Sequence, residues 1–403
     1  MPHKPPIDRN YLLGFLQELL EIPSPTGFTD QIVRFCAREL DRLGVNYELT
    51  RRGAIRAVVP GRHRHPARAL ISHLDTLGAQ VKDLKDNGRL ELVPVGHWSA
   101  RFAEGARCTI FTYGGTYRGT ILPLKASGHT YGPEIDEQPV SWSQVELRID
   151  AEIYSRQSLA DHGFGIGDFV AIDPQPEFME NGYIVSRHLD DKAGVAAMFA
   201  ALKAILDSGR TPAVDTYFLF SIAEEVGVGA SSVLHGDIAA MVTIDNGTTA
   251  PGQNSREFGV TIAMADSSGP FDYHLTKKLI DLCATNGIVH QRDIFRHYRC
   301  DSASALEAGN DIRTALITFG IDASHGYERI HQHALLSIAE LIALYSLSPV
   351  EVKHDRKELT PGITSFTEQP MAPSDDAAVE TPEWPYEKGK DLAMGKNKDG
   401  GKA

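Results

Sequence analysis

Five places in the chain put metal-type side chains next to strongly patterned segments. Residues 67–72 run into His73-Leu74-Asp75, the stretch TYFLFSIA at 216–223 ends in Glu224-Glu225, and residues 239–244 end in Asp245-Asn246-Gly247. Residues 313–321, RTALITFGI, precede Asp322-Ala323-Ser324-His325. Apolar runs of this length, rich in β-branched and aromatic types, predict strands. The fifth place is Asp190-Asp191, ahead of Val195, Met198, Phe199, Leu202, Ile205 and Leu206, which recur at helical spacing. Two His and several carboxylates with no ligating Cys suit a hard or borderline dication such as Zn²⁺, Co²⁺ or Mn²⁺. Such an ion makes water a nucleophile at neutral pH, so hydrolysis is the chemistry expected.

Each residue taken alone has a plainer reading. Asp190 is a helix N-cap, and Asp245-Asn246-Gly247 is a turn. The pair Glu224-Glu225 is harder to set aside, since adjacent carboxylates after a buried strand repel one another and need cations or protons. In an open α/β sheet the carboxyl ends of the strands share one edge, where residues from four unrelated stretches can meet.

The elements that must position them follow from the same patterning. A helix over 10–21, with Leu12, Phe15, Leu16 and Leu19 on one face, is stopped by Pro23 and Pro25. Between His73 and Asp190 lie some 116 residues, too many for a simple connection. Short alternating runs such as TILPL and VELRI predict a small all-β module at 77–181, inserted into an α/β body made of 1–76 and 182–352. Residues 353–403 read as a disordered tail. The glycines of GFGIGD at 163–168 precede strand-like FVAIDP rather than a helix, so they predict a turn and not a dinucleotide loop. His63 and His65 read as a solvated loop, and His331 and His333 as part of a helix beyond the site.

Composition bounds the function. The 403 residues are 42% apolar and 23% charged, with a formal charge of −13. That balance predicts a folded chain without the basic field that holds nucleic acid. Four scattered cysteines, an N-terminus without an apolar signal core and no long apolar run predict a cytoplasmic protein with no membrane partner. The sequence shows no internal repeat, which excludes solenoids and propellers.

Together the motifs resemble metallopeptidase family 42, the dinuclear-metal aminopeptidases that build tetrahedral assemblies. HLDTLG at 73–78 resembles that family's H-M-D-E-V-G, LDDKAG at 189–194 its D-D/N-R-x-G, and AEEVGVGA at 223–230 its E-E-V-G-x-R-G-A. TIDNG with Pro251-Gly252 is similar to its D-V-x…D-x-P-G. The resemblance implies a mixed-sheet zinc-peptidase-like α/β domain with an inserted small all-β domain, and two divalent ions per chain. His73 and Asp245 would bind one ion, Glu225 and His325 the other, and Asp190 would bridge them. Glu224 would be the general base acting on metal-bound water, and Asp75 the carboxylate that orients His73. A homododecamer acting on short peptides is implied, with the inserted module driving assembly. Departures include Lys192 for Arg, Thr76 for Glu and His97 for the second Gly of G-G-W. The segment from Gly326 to Arg329 resembles the subgroup associated with the N-acetylglutaminylglutamine amide osmoprotectant system. Two further readings stand beside the aminopeptidase: a related amidohydrolase of acylated amino acids or osmolyte dipeptides, and a non-catalytic assembly protein.

Overall fold

Four parallel strands form the middle of a nine-stranded mixed sheet, side by side in the order Val214–Ser221, His63–His73, Ile238–Thr248 and Arg313–Ile321. The computed structural model describes residues 4–350, so the tail expected at 353–403 lies outside the described residues. The four strands are apolar on both faces, with Leu70, Ile71, Phe218, Phe220, Ile244 and Ile317 all buried. That is what parallel strands covered on two sides require. Ile55–Val59 and Asn46–Leu49 extend one edge antiparallel. Val260–Asp266 extends the other, with Gly269–Pro270 and His290–Ile294 beside it.

The helix Leu189–Asp207 packs on the sheet and touches both Arg9–Leu20 and Gln332–Leu347. Its small and apolar residues are buried almost end to end, which suits a helix enclosed on all sides. Arg9–Leu20 begins where Asp8 caps it by accepting from the Tyr11 N–H, and it buries Leu12, Leu16 and Leu19. Each such side chain contributes about 1.5–3 kcal/mol of burial.

After His73 the chain leaves the sheet and closes a six-stranded barrel. The strands run Gly78–Leu84, Leu90–Val95, Val145–Ile149, Gly115–Pro123, Arg107–Thr112 and Phe169–Ile172 around it. The barrel has an apolar core of its own, built on residues such as Val81, Leu90, Ile110, Ile121 and Leu147. The chain returns through Glu177–Phe178 and Tyr183–Ser186, which form a small sheet with Glu328–His331. This sheet lays the approach to Asp190 beside the segment that follows His325.

Two local expectations are corrected. Asp245-Asn246-Gly247 is not a turn but part of the strand Ile238–Thr248, which stays paired as far as Thr248 with Ile321. Gly247 serves close packing there, since a Cβ would lie 2.1 Å from Thr318 Oγ1. His63 and His65 are exposed but lie on the strand His63–His73 rather than in a loop, because the strand starts pairing at His63 with Val214. The glycines at 163–167 do form a turn into Phe169–Ile172. His331 ends a strand and caps the helix Gln332–Leu347, accepting from the His333 N–H at 3.1 Å. Among the described residues no helix is long and apolar enough to cross a membrane, and all four cysteines are free and buried.

Candidate active site

Because the four central strands run in one direction, their carboxyl ends deliver residues to a common edge. His73 is the last residue of its strand and pairs with Ser221, three residues before Glu224. Asp245 pairs with Thr318, and His325 stands four residues past Ile321. Asp190 enters from the return segment with non-helical backbone angles, so the regular helix begins after Asp191.

Two overlapping groups result, His73 with Asp190 and Asp245, and Asp190 with Glu225 and His325. Within each, one ligand atom per residue lies within 4.8 Å of the others. Asp190 is common to both: its Oδ1 is 3.1 Å from His73 Nε2 and its Oδ2 is 3.3 Å from His325 Nε2. Asp191 faces elsewhere, accepting from the Ser72 hydroxyl and, at 3.2 Å, from the His73 N–H. Glu225 Oε2 is 3.6 Å from His325 Nε2. Glu224 belongs to neither group, although its Oε2 is 3.9 Å from His73 Nε2. It borders a cavity of about 270 Å³ shared with Asp190, Glu225, Asp245, His325 and Tyr298.

Main-chain carbonyls orient both imidazoles. His73 Nδ1 donates to the Asp75 carbonyl at 2.8 Å, and His325 Nδ1 donates to the His97 carbonyl at 2.8 Å. Each ring thereby keeps its Nε2 turned toward Asp190. The Asp75 carboxylate is 3.6 Å from His73 and is engaged elsewhere. It accepts from the Thr26 hydroxyl at 2.7 Å and from the backbone N–H groups of Glu224 at 3.2 Å and Glu225 at 3.3 Å. One buried carboxylate thus holds the turn carrying both glutamates.

Several site residues carried no sequence signal of their role. Asn246 donates through Nδ2 to Asp190 Oδ2 at 2.7 Å and Asp245 Oδ1 at 3.1 Å, though its setting had read as a turn. Glu328 accepts from the backbone N–H groups of Asp190 and His325. Asp301 accepts from the Ser221 hydroxyl at 2.6 Å and the Ala230 N–H at 2.7 Å. Each of the three has a partner far off in sequence, Asp190 for Asn246 and Glu328, and Ser221 and Ala230 for Asp301, so no local spacing announces them.

The electrostatics follow from crowding carboxylates away from water. Burial pushes the Glu224 carboxyl well up, Glu225 to about 8 and Asp245 to about 7. Asp190 behaves oppositely: burial would raise it, but its contacts with His325 and His73 hold it below the ordinary carboxylate range. His325 is lifted to about 10, because Asp190 and Glu225 outweigh the burial that pulls it down. Cations bound among these groups would balance their charge. Glu225 Oε1 and Asn246 Oδ1 are buried without a hydrogen-bond partner, and the donors are carboxylate oxygens and imidazole nitrogens only. This set fits a pair of hard or borderline dications.

Comparison with known proteins gives the setting. A model of M42 glutamyl aminopeptidases matches residues 53–341. The candidate aminopeptidase YhfE of Bacillus subtilis (strain 168) is 36% identical over 84% of this chain and 98% of its own. In fold, the chain is similar to a TET aminopeptidase from the marine sediment archaeon Thaumarchaeota archaeon SCGC AB-539-E09. That likeness has a TM-score of 0.76 at 17% identity over 84% of this chain and 96% of that one. It is also similar to the Pyrococcus horikoshii TET1 peptidase, described as able to assemble into a tetrahedron or a large octahedral shell. There the TM-score is 0.74 at 21% identity, covering 83% of this chain and 99% of the other. A family match over most of the sequence, and a relative aligned along nearly its whole length, establish that this chain belongs to the M42 glutamyl aminopeptidase family and is a metal-dependent aminopeptidase.

Proposed function

We propose that the chain removes N-terminal residues from short peptides at a site for two dications, with Zn²⁺ the first candidate. His73 and Asp245 hold one ion, Glu225 and His325 the other, and Asp190 is shared between them. The observation that carries this reading is that a single carboxylate, Asp190, faces both histidines. Dications held there supply Lewis-acid activation of water and of the scissile carbonyl. The protein's own residues do the rest. Glu224, outside both ligand groups and open to the cavity, takes the proton from the attacking water and returns it to the leaving amine. Asp75 keeps Glu224 in place through its backbone N–H. The acidic wall receives the free α-amine of the substrate.

The test is a panel of free dipeptides, amino-acid p-nitroanilides and N-acetylated dipeptides, including N-acetylglutaminylglutamine amide, each assayed with added Zn²⁺, Co²⁺ or Mn²⁺. Cleavage of the free-amine substrates is expected. Cleavage of the N-blocked ones alone would replace this reading with the amidohydrolase. A protein that binds ions and cleaves none of them would leave the assembly role.

We propose further that copies associate through the barrel into twelve chains, as supported by relatives described as dodecameric or tetrahedral. A monomer by light scattering at micromolar concentration would overturn this. A cytoplasmic location is proposed on the four free, buried cysteines.

A further inference from the structure

Glu328 belongs to neither ligand group, yet both of its carboxylate oxygens are engaged inside the site. Oε1 accepts from the backbone N–H of His325 at 3.0 Å, and Oε2 accepts from the backbone N–H of Asp190 at 3.2 Å. The first donor belongs to the histidine of one group, and the second to the aspartate common to both. One planar fork therefore spans the two segments whose spacing decides whether Asp190 and His325 can meet.

The fold builds this position deliberately. Glu328 opens the strand Glu328–His331 and pairs with Ser186, at the end of the strand that leads to Asp190. It is 2% exposed, and among the described residues no Lys or Arg forms an ion pair with it. Desolvating an acid without a cation costs free energy, so its retention asks for a reason. The segments it ties are themselves unusual: His325 has φ +65° and His188 has φ +67°, in the left-handed region that L side chains seldom adopt. Such conformations persist when surrounding contacts over-determine them. A carboxylate is the side chain that offers two equivalent acceptors to two N–H donors. A carboxamide of the same size has one acceptor and would point an N–H at the second donor.

We infer that Glu328 is a positioning residue that sets the separation of Asp190 from His325, and with it the affinity of the Glu225–His325 half of the site for its ion. This rests on the two-ion reading above. The experiment titrates Co²⁺ into the metal-free full chain, following heat and visible absorption together, for the wild type, Glu328→Gln and Glu328→Asp. The wild type should take two ions per chain. Glu328→Gln should bind the second ion about 10–100-fold more weakly, the usual cost of losing an outer partner of a ligand, and the first with a much smaller loss, since His73 and Asn246 still hold Asp190. The absorption bands of the second ion should change as well. Glu328→Asp keeps the charge but is too short to span both donors, so it should show the same selective loss. It carries the comparison alone should the glutamine variant fail to fold.

A purely structural role predicts something else, namely a lower unfolding temperature with both ions weakened alike and unchanged Co²⁺ bands, and that result overturns the inference. So does wild-type affinity for both ions in Glu328→Gln. Normal second-ion binding in Glu328→Asp would assign the effect to charge and overturn it too. A wild type that never exceeds one ion would bring down the two-ion reading itself.

Discussion

The two halves of the site are held by different means. His73 and Asp245 lie within the paired length of neighbouring parallel strands and are 2% and 1% exposed. Sheet register puts their backbones where they are, and contacts one or two residues away, from the Asp75 carbonyl and Asn246, aim the side chains. His325 stands past the last paired residue of its strand, with a side chain one-third exposed and a left-handed backbone. It is kept in place by contacts from elsewhere, the His97 carbonyl and the Glu328 carboxylate. The first half is a by-product of folding the sheet, while the second must be assembled from pieces far apart in the chain.

The largest expected effect separates the base from the ligand beside it. Glu224→Gln should lower turnover by ~10²–10⁴ with both ions retained, since it removes proton transfer and leaves both ligand groups whole. Glu225→Gln should lose the ion of the second half first, and excess metal should restore part of the rate. Bound metal and kcat measured together decide it, and the reverse pattern would exchange the two roles.

The histidines sharpen the contrast between halves. His73→Ala removes a fully buried ring and one of the two imidazoles beside Asp190, so it should cost about 3–5 kcal/mol in urea unfolding and lose ions that excess metal does not restore. His325→Ala, whose side chain is one-third exposed, should cost less stability than His73→Ala and recover activity with added metal. Equal behaviour of the two variants would mean that the halves are held alike.

The smallest effect is a control in the barrel. Glu146 is buried beside Lys85 and Arg89. Burial tends to raise its carboxyl, but hydrogen bonds from the two cations outweigh that and hold it below the ordinary range. A depressed folded value stabilises above the unfolded value of about 4.3 and is lost as pH falls through the folded one. Glu146→Gln should therefore cost about 1 kcal/mol at neutral pH, with the difference from wild type closing under acid conditions. Metal content in both halves should not move.

The contrast also marks what could be read from the residues. Strand ends were legible because apolar runs predict parallel strands, and parallel strands share an edge; His73 and the glutamate pair followed directly. Asp245-Asn246-Gly247, whose plainer reading was a turn, lies in a paired strand, because a glycine serving close strand packing looks the same in one dimension as a glycine serving a turn. The choice of Asp190 over Asp191 gains a physical reason from the fold, where Asp190 faces both histidines and Asp191 turns one oxygen to the Ser72 hydroxyl and the His73 N–H. Glu328 and Asn246 left no trace in spacing: each has one partner close by, His325 and Asp245, but the bond that ties each of them to Asp190 comes from another segment of the chain.

The contact between His325 and the His97 carbonyl reaches further than the site. His97 lies on the loop leaving the barrel strand Leu90–Val95, and this loop is fastened to the barrel where the Trp98 indole N–H donates to the Gly78 carbonyl at 2.9 Å. The imidazole of one half-site is thus aimed by the module through which copies are proposed to meet. Reciprocity then applies: if joining copies steadies that loop and raises affinity for the second ion by some factor, binding the ion strengthens the joining by the same factor. Dilution and chelation become two handles on one equilibrium. An assembly taken apart by dilution would shed one ion per chain ahead of the other, and a mild chelator would loosen the assembly while half its metal was still bound.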